Sequence, residues 1–140
     1  GRLEVVRSSP TVLVDGAHNP HGVEALVAAL GESFAFERLV GVVAIMDDKD
    51  PEAMLGLLEP VLAEVVVTHA ATPRSMDVDE LAEVAEDVFG PDRVHRAERL
   101  DDAVSLAVER AEAEAERGAG VIVTGSLYLV AEARILLGRP

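Results

Sequence analysis

Apolar runs and amphipathic stretches alternate along this chain, and that rhythm restricts its folds more than any single residue does. Residues 3–7 and 11–15 read as two strands joined by the tight turn Ser8-Ser9-Pro10, so this pair is expected to be antiparallel. The spacing then predicts a helix over 20–30 stopped by Gly31, a long apolar strand over 38–45 and a helix over 51–58. A strand over 64–68 follows. Asp77 and Glu80 have the spacing of a capping box, opening a helix that runs through Phe89 and ends at Gly90-Pro91. A short strand at 93–96 precedes a helix over 101–117, apolar at Val104, Ala107, Val108 and Ala111 and terminated by Gly118. A strand at 120–124 and a helix at 127–137 complete the count: six strands and about five helices. Strands alternating with helices imply a three-layer α/β domain. Its mostly parallel sheet carries one antiparallel edge strand, and helices cover both faces through right-handed crossovers.

The 140 residues suit one domain with a real core, and no repeat or linker divides them. No apolar run approaches the ~20 residues that span a bilayer. Gly1 leads directly into a strand-like segment without a signal pattern, and cytoplasm is the default compartment. The absence of cysteine excludes disulfides, thiolate catalysis and Cys-based zinc sites. A net charge of −14, with Lys49 the only lysine, argues against broad nucleic-acid binding, which depends on clustered cations. No membrane partner is expected either.

Chemistry concentrates where strands end. The β-branched run 11–14 is followed by Asp15-Gly-Ala-His18, and Asn19 can cap a helix that begins with Pro20, a residue suited to the first helical position. Carboxyl ends of strands are where α/β sheets bind ligands. Two readings stand for Asp15: it accepts hydroxyl bonds from a ribose, or it only shapes the turn. His18 can donate to an anion, stack on a base or brace the loop. His21, one turn into the helix, reads as a surface residue.

Three further strand ends carry polar groups. Met46-Asp-Asp-Lys-Asp50 offers three carboxylates, but neighbours in a loop rarely converge on one ion, and Asp50 before Pro51 reads better as a helix cap; no metal ligand is assigned. After residues 64–67 come Thr68, His69, Pro73, Arg74 and Ser75, and a guanidinium on such a loop suits a carboxylate as readily as it suits solvent. Thr124-Gly-Ser-Leu-Tyr128 places Ser126 at a helix start, either as a simple cap or where free N–H groups favour an anion.

Asp15-Gly-Ala-His-Asn-Pro20 resembles the signature that opens the C-terminal domain of the folylpolyglutamate synthase and dihydrofolate synthase family, within the Mur ligases. Met46-Asp-Asp-Lys-Asp50, then Thr68 with Pro73-Arg74, then Thr124-Gly-Ser-Leu-Tyr-Leu-Val130 follow in family order and span nearly the whole chain. The resemblance implies a Rossmann-like domain in which Asp15 and Asn19 contact the nucleotide and His18 lies at the reaction centre. It also implies that Ser126 and Arg74 bind the incoming glutamate and that Lys49 approaches the cleft. Tyr128 is expected to pack against the sheet. His69 departs from the family pattern and receives no role, and Ala131-Glu132 stands where Gly-Glu is usual.

The same resemblance implies ATP and Mg²⁺ as the groups required, with L-glutamate and folate or dihydropteroate as the other substrates. This chain has no Gly-x-x-x-x-Gly-Lys-[Ser/Thr] phosphate loop. In the resembled enzymes that loop, the Mg²⁺ ligands and most of the folate site belong to a larger N-terminal domain. Residues 1–140 are therefore expected to be the C-terminal domain alone, linked to an N-terminal partner and incomplete without it. That partner would supply the cations for a triphosphate that so acidic a chain lacks. A peptidoglycan-type Mur ligase domain and a non-catalytic nucleotide-binding module are the alternatives. A signalling receiver domain is set aside, because the lysine it needs after the last strand is replaced by Thr124-Gly125-Ser126.

Overall fold

The computed structural model describes residues 3–113 and 118–138. Six strands form one sheet: β1 (Glu4–Ser8), β2 (Thr11–Asp15), β3 (Arg38–Val43), β4 (Glu64–Val67), β5 (Val94–Arg96) and β6 (Ala119–Thr124). Five α-helices accompany them: α1 (Pro20–Ser33), α2 (Pro51–Leu58), α3 (Val78–Phe89), α4 (Leu100–Ala113) and α5 (Leu127–Leu136), with a 3₁₀ turn at Pro91–Arg93. The spatial order is β1-β2-β6-β3-β4-β5. β1 runs antiparallel to β2, and every other pairing is parallel, as the chain's rhythm predicts.

Alternation along the buried strands divides the core into two layers. Leu13, Val43, Val65 and Ile122 point to the face covered by Val23 and Leu26 of α1, Met54 and Leu55 of α2, and Leu81 and Ala85 of α3. Val12, Val14, Val42, Val66, Val121 and Val123 point the other way, onto Leu100, Ala103 and Ala107 of α4 and Leu129 and Ala133 of α5.

This distribution locates the crevice. The helices that follow β2 and β3 pack on one face, whereas the helix that follows β6, the strand between them, packs on the other. Loops leaving these three neighbouring strands therefore diverge, and the gap at their carboxyl ends is the switch point where open α/β sheets take ligands.

Several boundaries differ from expectation. α1 runs through Gly31 to Ser33 and ends at Phe34, whose N–H bonds the Leu30 carbonyl at 3.1 Å. Gly31 has a conformation ordinary for any residue, so it weakens the helix by about 1 kcal/mol without stopping it. β3 ends at Val43 rather than residue 45, because Ile45 and Met46 turn to pair with the loop at Ser75 and Met76. The strand β1 is shifted by one residue to Glu4–Ser8, β4 stops at Val67, β5 begins at Val94 after the 3₁₀ turn, and β6 begins at Ala119. α5 stops at Leu136, with Leu137 as its cap. α4 is seen over Leu100–Ala113; the expected continuation over 114–117, up to Gly118, lies outside the described residues.

Candidate functional site

At the end of β2, Asp15 is buried and its Oδ1 accepts the Ala17 N–H at 2.8 Å. That is its bond among the described residues, so the carboxylate shapes the turn and keeps its second oxygen uncommitted. Half-buried His18 places Nδ1 3.0 Å from the Gly16 carbonyl. A carbonyl only accepts, so Nδ1 carries the proton and donates, leaving Nε2 as the acceptor of the neutral ring. Asn19 caps α1, its Oδ1 accepting the Gly22 N–H at 2.8 Å, with Pro20 in the first turn. His21 is exposed, as expected.

β6 ends beside this turn. Asp15 and Thr124 are register partners, as are Val43 and Thr124. Gly125 then turns with φ at 106°, its N–H donating to the Ala17 carbonyl at 3.1 Å. A side chain there would place Cβ 2.3 Å from the Ala44 carbonyl oxygen, so only glycine lets the three loops close on one another. Ser126, almost wholly buried, caps α5: its Oγ accepts the N–H groups of Tyr128 at 3.1 Å and Leu129 at 3.4 Å. The hydroxyl proton remains available as a donor at the positive end of the helix.

The loops after β3 and β4 are joined by their backbones. The Asp47 N–H donates to the Arg74 carbonyl at 2.7 Å and the Met76 N–H to the Ile45 carbonyl at 2.8 Å, with an antiparallel bridge between Met46 and Ser75. Lys49 and Arg74 are thereby set side by side. Asp50 caps α2 through the Ala53 N–H at 3.1 Å, the role its place before Pro51 predicts. Asp48 faces the two cations, and among the described residues no group of three or more His, Cys, Asp or Glu side chains could hold a metal ion.

These loops enclose a cleft of about 130 Å³ lined by His18, Met46, Lys49, Arg74, Ser126, Leu127 and Tyr128. Four residues, one from each of four separate motifs, thus meet in one hollow. Asp15 and Asn19 lie at the neighbouring turn and do not line it. Tyr128 corrects an expectation: it is 52% exposed at the cleft, because Leu129, Val130 and Ala133 form the face of α5 that meets the sheet. Met46, in the β3 loop, and Leu127, in the first turn of α5, also line the cleft, and an apolar side chain at such a position carries no signal in one sequence. Thr68 and Thr124 are buried with hydroxyls lacking a partner among the described residues.

A larger hollow of about 500 Å³, between α5 and the loops after β4 and β5, is lined by His69, Arg99, Leu100, Glu132 and Leu136 among others. It contains none of the assembled residues, and size does not mark the site. Glu132 there accepts the Ala71 N–H at 2.8 Å, fastening α5 to the β4 loop. Chemically the smaller cleft offers two cations, a serine hydroxyl at a helix start and an imidazole nitrogen, a set suited to a carboxylate or phosphate beside a proton acceptor.

Residues 1–127 match the family described as Mur ligase, glutamate ligase domain. The chain is 46% identical to the dihydrofolate synthase/folylpolyglutamate synthase of Mycobacterium tuberculosis, a match covering 99% of this chain and 30% of that protein. It superimposes with a TM-score of 0.94 on a crystal structure of Mycobacterium tuberculosis folylpolyglutamate synthase complexed with ADP and AMPPCP, at 48% identity, covering 100% of this chain and 32% of that one. A Yersinia pestis bifunctional folylpolyglutamate synthase/dihydrofolate synthase complexed with AMPPNP and Mn ion is similar with a TM-score of 0.79 at 28% identity, covering 99% of this chain and 31% of that one. The chain thus spans about a third of the length of these relatives; with the family match running over residues 1–127 and the fold shared along the whole chain, it belongs to the Mur ligase family, as a glutamate ligase domain.

Proposed function

We propose that this chain is the C-terminal, amino-acid-binding part of an ATP-dependent folylpolyglutamate/dihydrofolate synthase that adds L-glutamate to folate or dihydropteroate. The convergence of His18, Lys49, Arg74 and Ser126 on one cleft at the switch point carries this reading. In the reaction a carboxylate of the pterin substrate takes the γ-phosphoryl group of ATP, and the glutamate amine attacks the acyl phosphate to form an amide with loss of phosphate. Arg74 and Lys49 hold the carboxylates of glutamate, and the Ser126 hydroxyl with the α5 N-terminus adds a donor on the same side. His18 Nε2 is available to accept a proton as the amine bonds to carbon. Asp15 accepts from the nucleotide with its uncommitted oxygen, and Asn19 lies beside it. Orientation and charge stabilisation account for most of the rate, with no covalent enzyme intermediate.

Among the described residues no group of three or more His, Asp or Glu side chains fits Mg²⁺, with Asp50 spent on a cap and Asp48 on an ion pair. The metal, the triphosphate and most of the folate therefore fall to an N-terminal portion such as the one that makes up the rest of the relatives' length. Exposed Leu127 and Tyr128 at the cleft are apolar surface for that portion to cover. Among the described residues no helix is long and apolar enough to cross a membrane.

The test joins this chain to the N-terminal portion of the Mycobacterium tuberculosis relative and follows ATP- and folate-dependent incorporation of labelled glutamate. Incorporation that disappears with Asp15→Ala and falls with Ser126→Ala is the expected result. No incorporation, while the relative's own domain rejoined in the same way is active, would favour a non-catalytic nucleotide-binding module instead.

A further inference from the structure

Both cations of the cleft already share a carboxylate. Asp48 Oδ2 stands 3.4 Å from Arg74 Nη2 and 3.9 Å from Lys49 Nζ. The contact is long for an ion pair of this kind, and the side chains of Asp48 and Arg74 are each more than half exposed, 51% and 58%. Such a pair is weak and easily exchanged. It is also unnecessary for the local fold. The Arg74 backbone is held by the Asp47 N–H, the adjoining loop by the Ile45–Met76 bond and the Met46–Ser75 bridge, none of which uses the Asp48 side chain. Asp48 itself does not line the cleft, whereas Arg74 and Lys49 do. The carboxylate therefore restrains the two cationic heads from the outer side, in the place where an arriving carboxylate must compete for them.

We infer that Asp48 is a built-in counter-ion that a substrate carboxylate displaces, so that it sets how tightly the amino acid binds without taking part in the chemistry. The inference rests on the glutamate reading of the cleft proposed above. Two consequences follow from the physics. First, the unliganded cleft keeps Arg74 and Lys49 ordered and charge-matched in a chain whose overall charge is −14, and each substrate carboxylate must exchange for Asp48. Second, a ligand without a carboxylate at that position cannot make the exchange and leaves Asp48 in place. Asp48 thus acts through Arg74 and Lys49 as a positioning and selecting residue, and binding is weaker than the bare cation pair would give.

The experiment uses the joined ligase and measures kcat and KM for glutamate. Asp48→Asn is expected to lower KM about two- to fivefold, the range that loss of one exposed ion pair allows, with kcat unchanged. Arg74→Ala is expected to raise KM at least tenfold, and adding Asp48→Asn to it should change KM little, since the competitor then has lost its main partner. If Asp48→Asn raises KM or leaves it unchanged while Arg74→Ala still raises it, the counter-ion role is overturned and the glutamate site survives. If Arg74→Ala leaves KM unchanged, the glutamate reading of the cleft fails and this inference falls with it. Melting temperatures equal to the parent's identify the effects as binding rather than folding.

Discussion

The guanidinium of Arg110, on α4, grips the carboxylate of Glu64, at the head of β4, through two parallel bonds: Nε to Oε1 and Nη2 to Oε2, each 2.9 Å. Arg38, from the head of β3, and His95, from β5, reach the same carboxylate, which is only 5% exposed. Four elements are fastened by one acid at the end of the sheet opposite the cleft. The fork geometry is that of the strongest charge-assisted bonds.

Glu64→Gln keeps the volume of the side chain but leaves two guanidiniums facing a neutral amide. Breaking a buried pair in this way is expected to destabilise by about 3 kcal/mol. Thermal or urea unfolding of the isolated chain measures it. Because the cluster is remote from the cleft, the joined ligase should keep its KM for glutamate below the melting transition.

His95 predicts a pH dependence. Burial first, then the charges of Arg110 and Arg38, lower its pKa from the ordinary value of 6.5. The Glu64 contact favours the imidazolium, but that carboxylate is already matched by two guanidiniums, so the lowering dominates. The unfolded chain takes up its proton near 6.5 and the folded chain only at lower pH. Between those values the unfolded state holds more protons, and stability falls as pH drops. The melting temperature should therefore decline as pH falls from about 7 towards 5, and His95→Gln should flatten that part of the profile. An unchanged slope would assign the decline to other groups.

Gly125→Ala should be among the most damaging single-methyl changes in the chain. The residue has φ at 106°, and its Cβ would lie 2.3 Å from the Ala44 carbonyl oxygen. Left-handed strain alone is of order 1–3 kcal/mol, and the backbone clash adds to it. Unfolding midpoints should fall by at least that much, and kcat/KM of the joined ligase should fall further, since Ser126 moves with the turn.

Ser126 has two duties that substitution can separate. Ser126→Ala loses the cap of α5, worth about 1 kcal/mol, together with the hydroxyl donor. Ser126→Asp retains the cap but brings a negative charge to the anion side of the cleft. A rise in KM for glutamate larger than that of Ser126→Ala is expected for Ser126→Asp, beyond whatever stability the buried charge costs. A KM that follows stability alone would reduce Ser126 to a cap.

Local features were legible because they depend on near neighbours. The caps at Asn19 and Asp50 follow from an acceptor side chain placed just before proline, and both form. Asp77 accepts the N–H groups of Asp79 and Glu80 as its spacing to Glu80 predicts. Gly31 misled because a glycine stops a helix only where the backbone turns left-handed, and the Phe34 N–H to Leu30 bond carries α1 past it. Tyr128 misled because a ring beside a serine cap can face either way, and which way depends on the rotation of α5 upon the sheet.

By itself, then, the sequence determined the elements, their alternation, the antiparallel edge and the strand ends that carry chemistry, since period, capping and turn composition act over a few residues. Only the tertiary structure decided that β6, last in the chain, inserts between β2 and β3. That insertion brings Ser126 to His18, across more than a hundred residues, while the paired β3 and β4 strands carry the loops whose backbone bonds set Lys49 beside Arg74. Strand order and helix face are choices of the whole core. They follow from which apolar surfaces bury one another, and no window of neighbouring residues contains that sum.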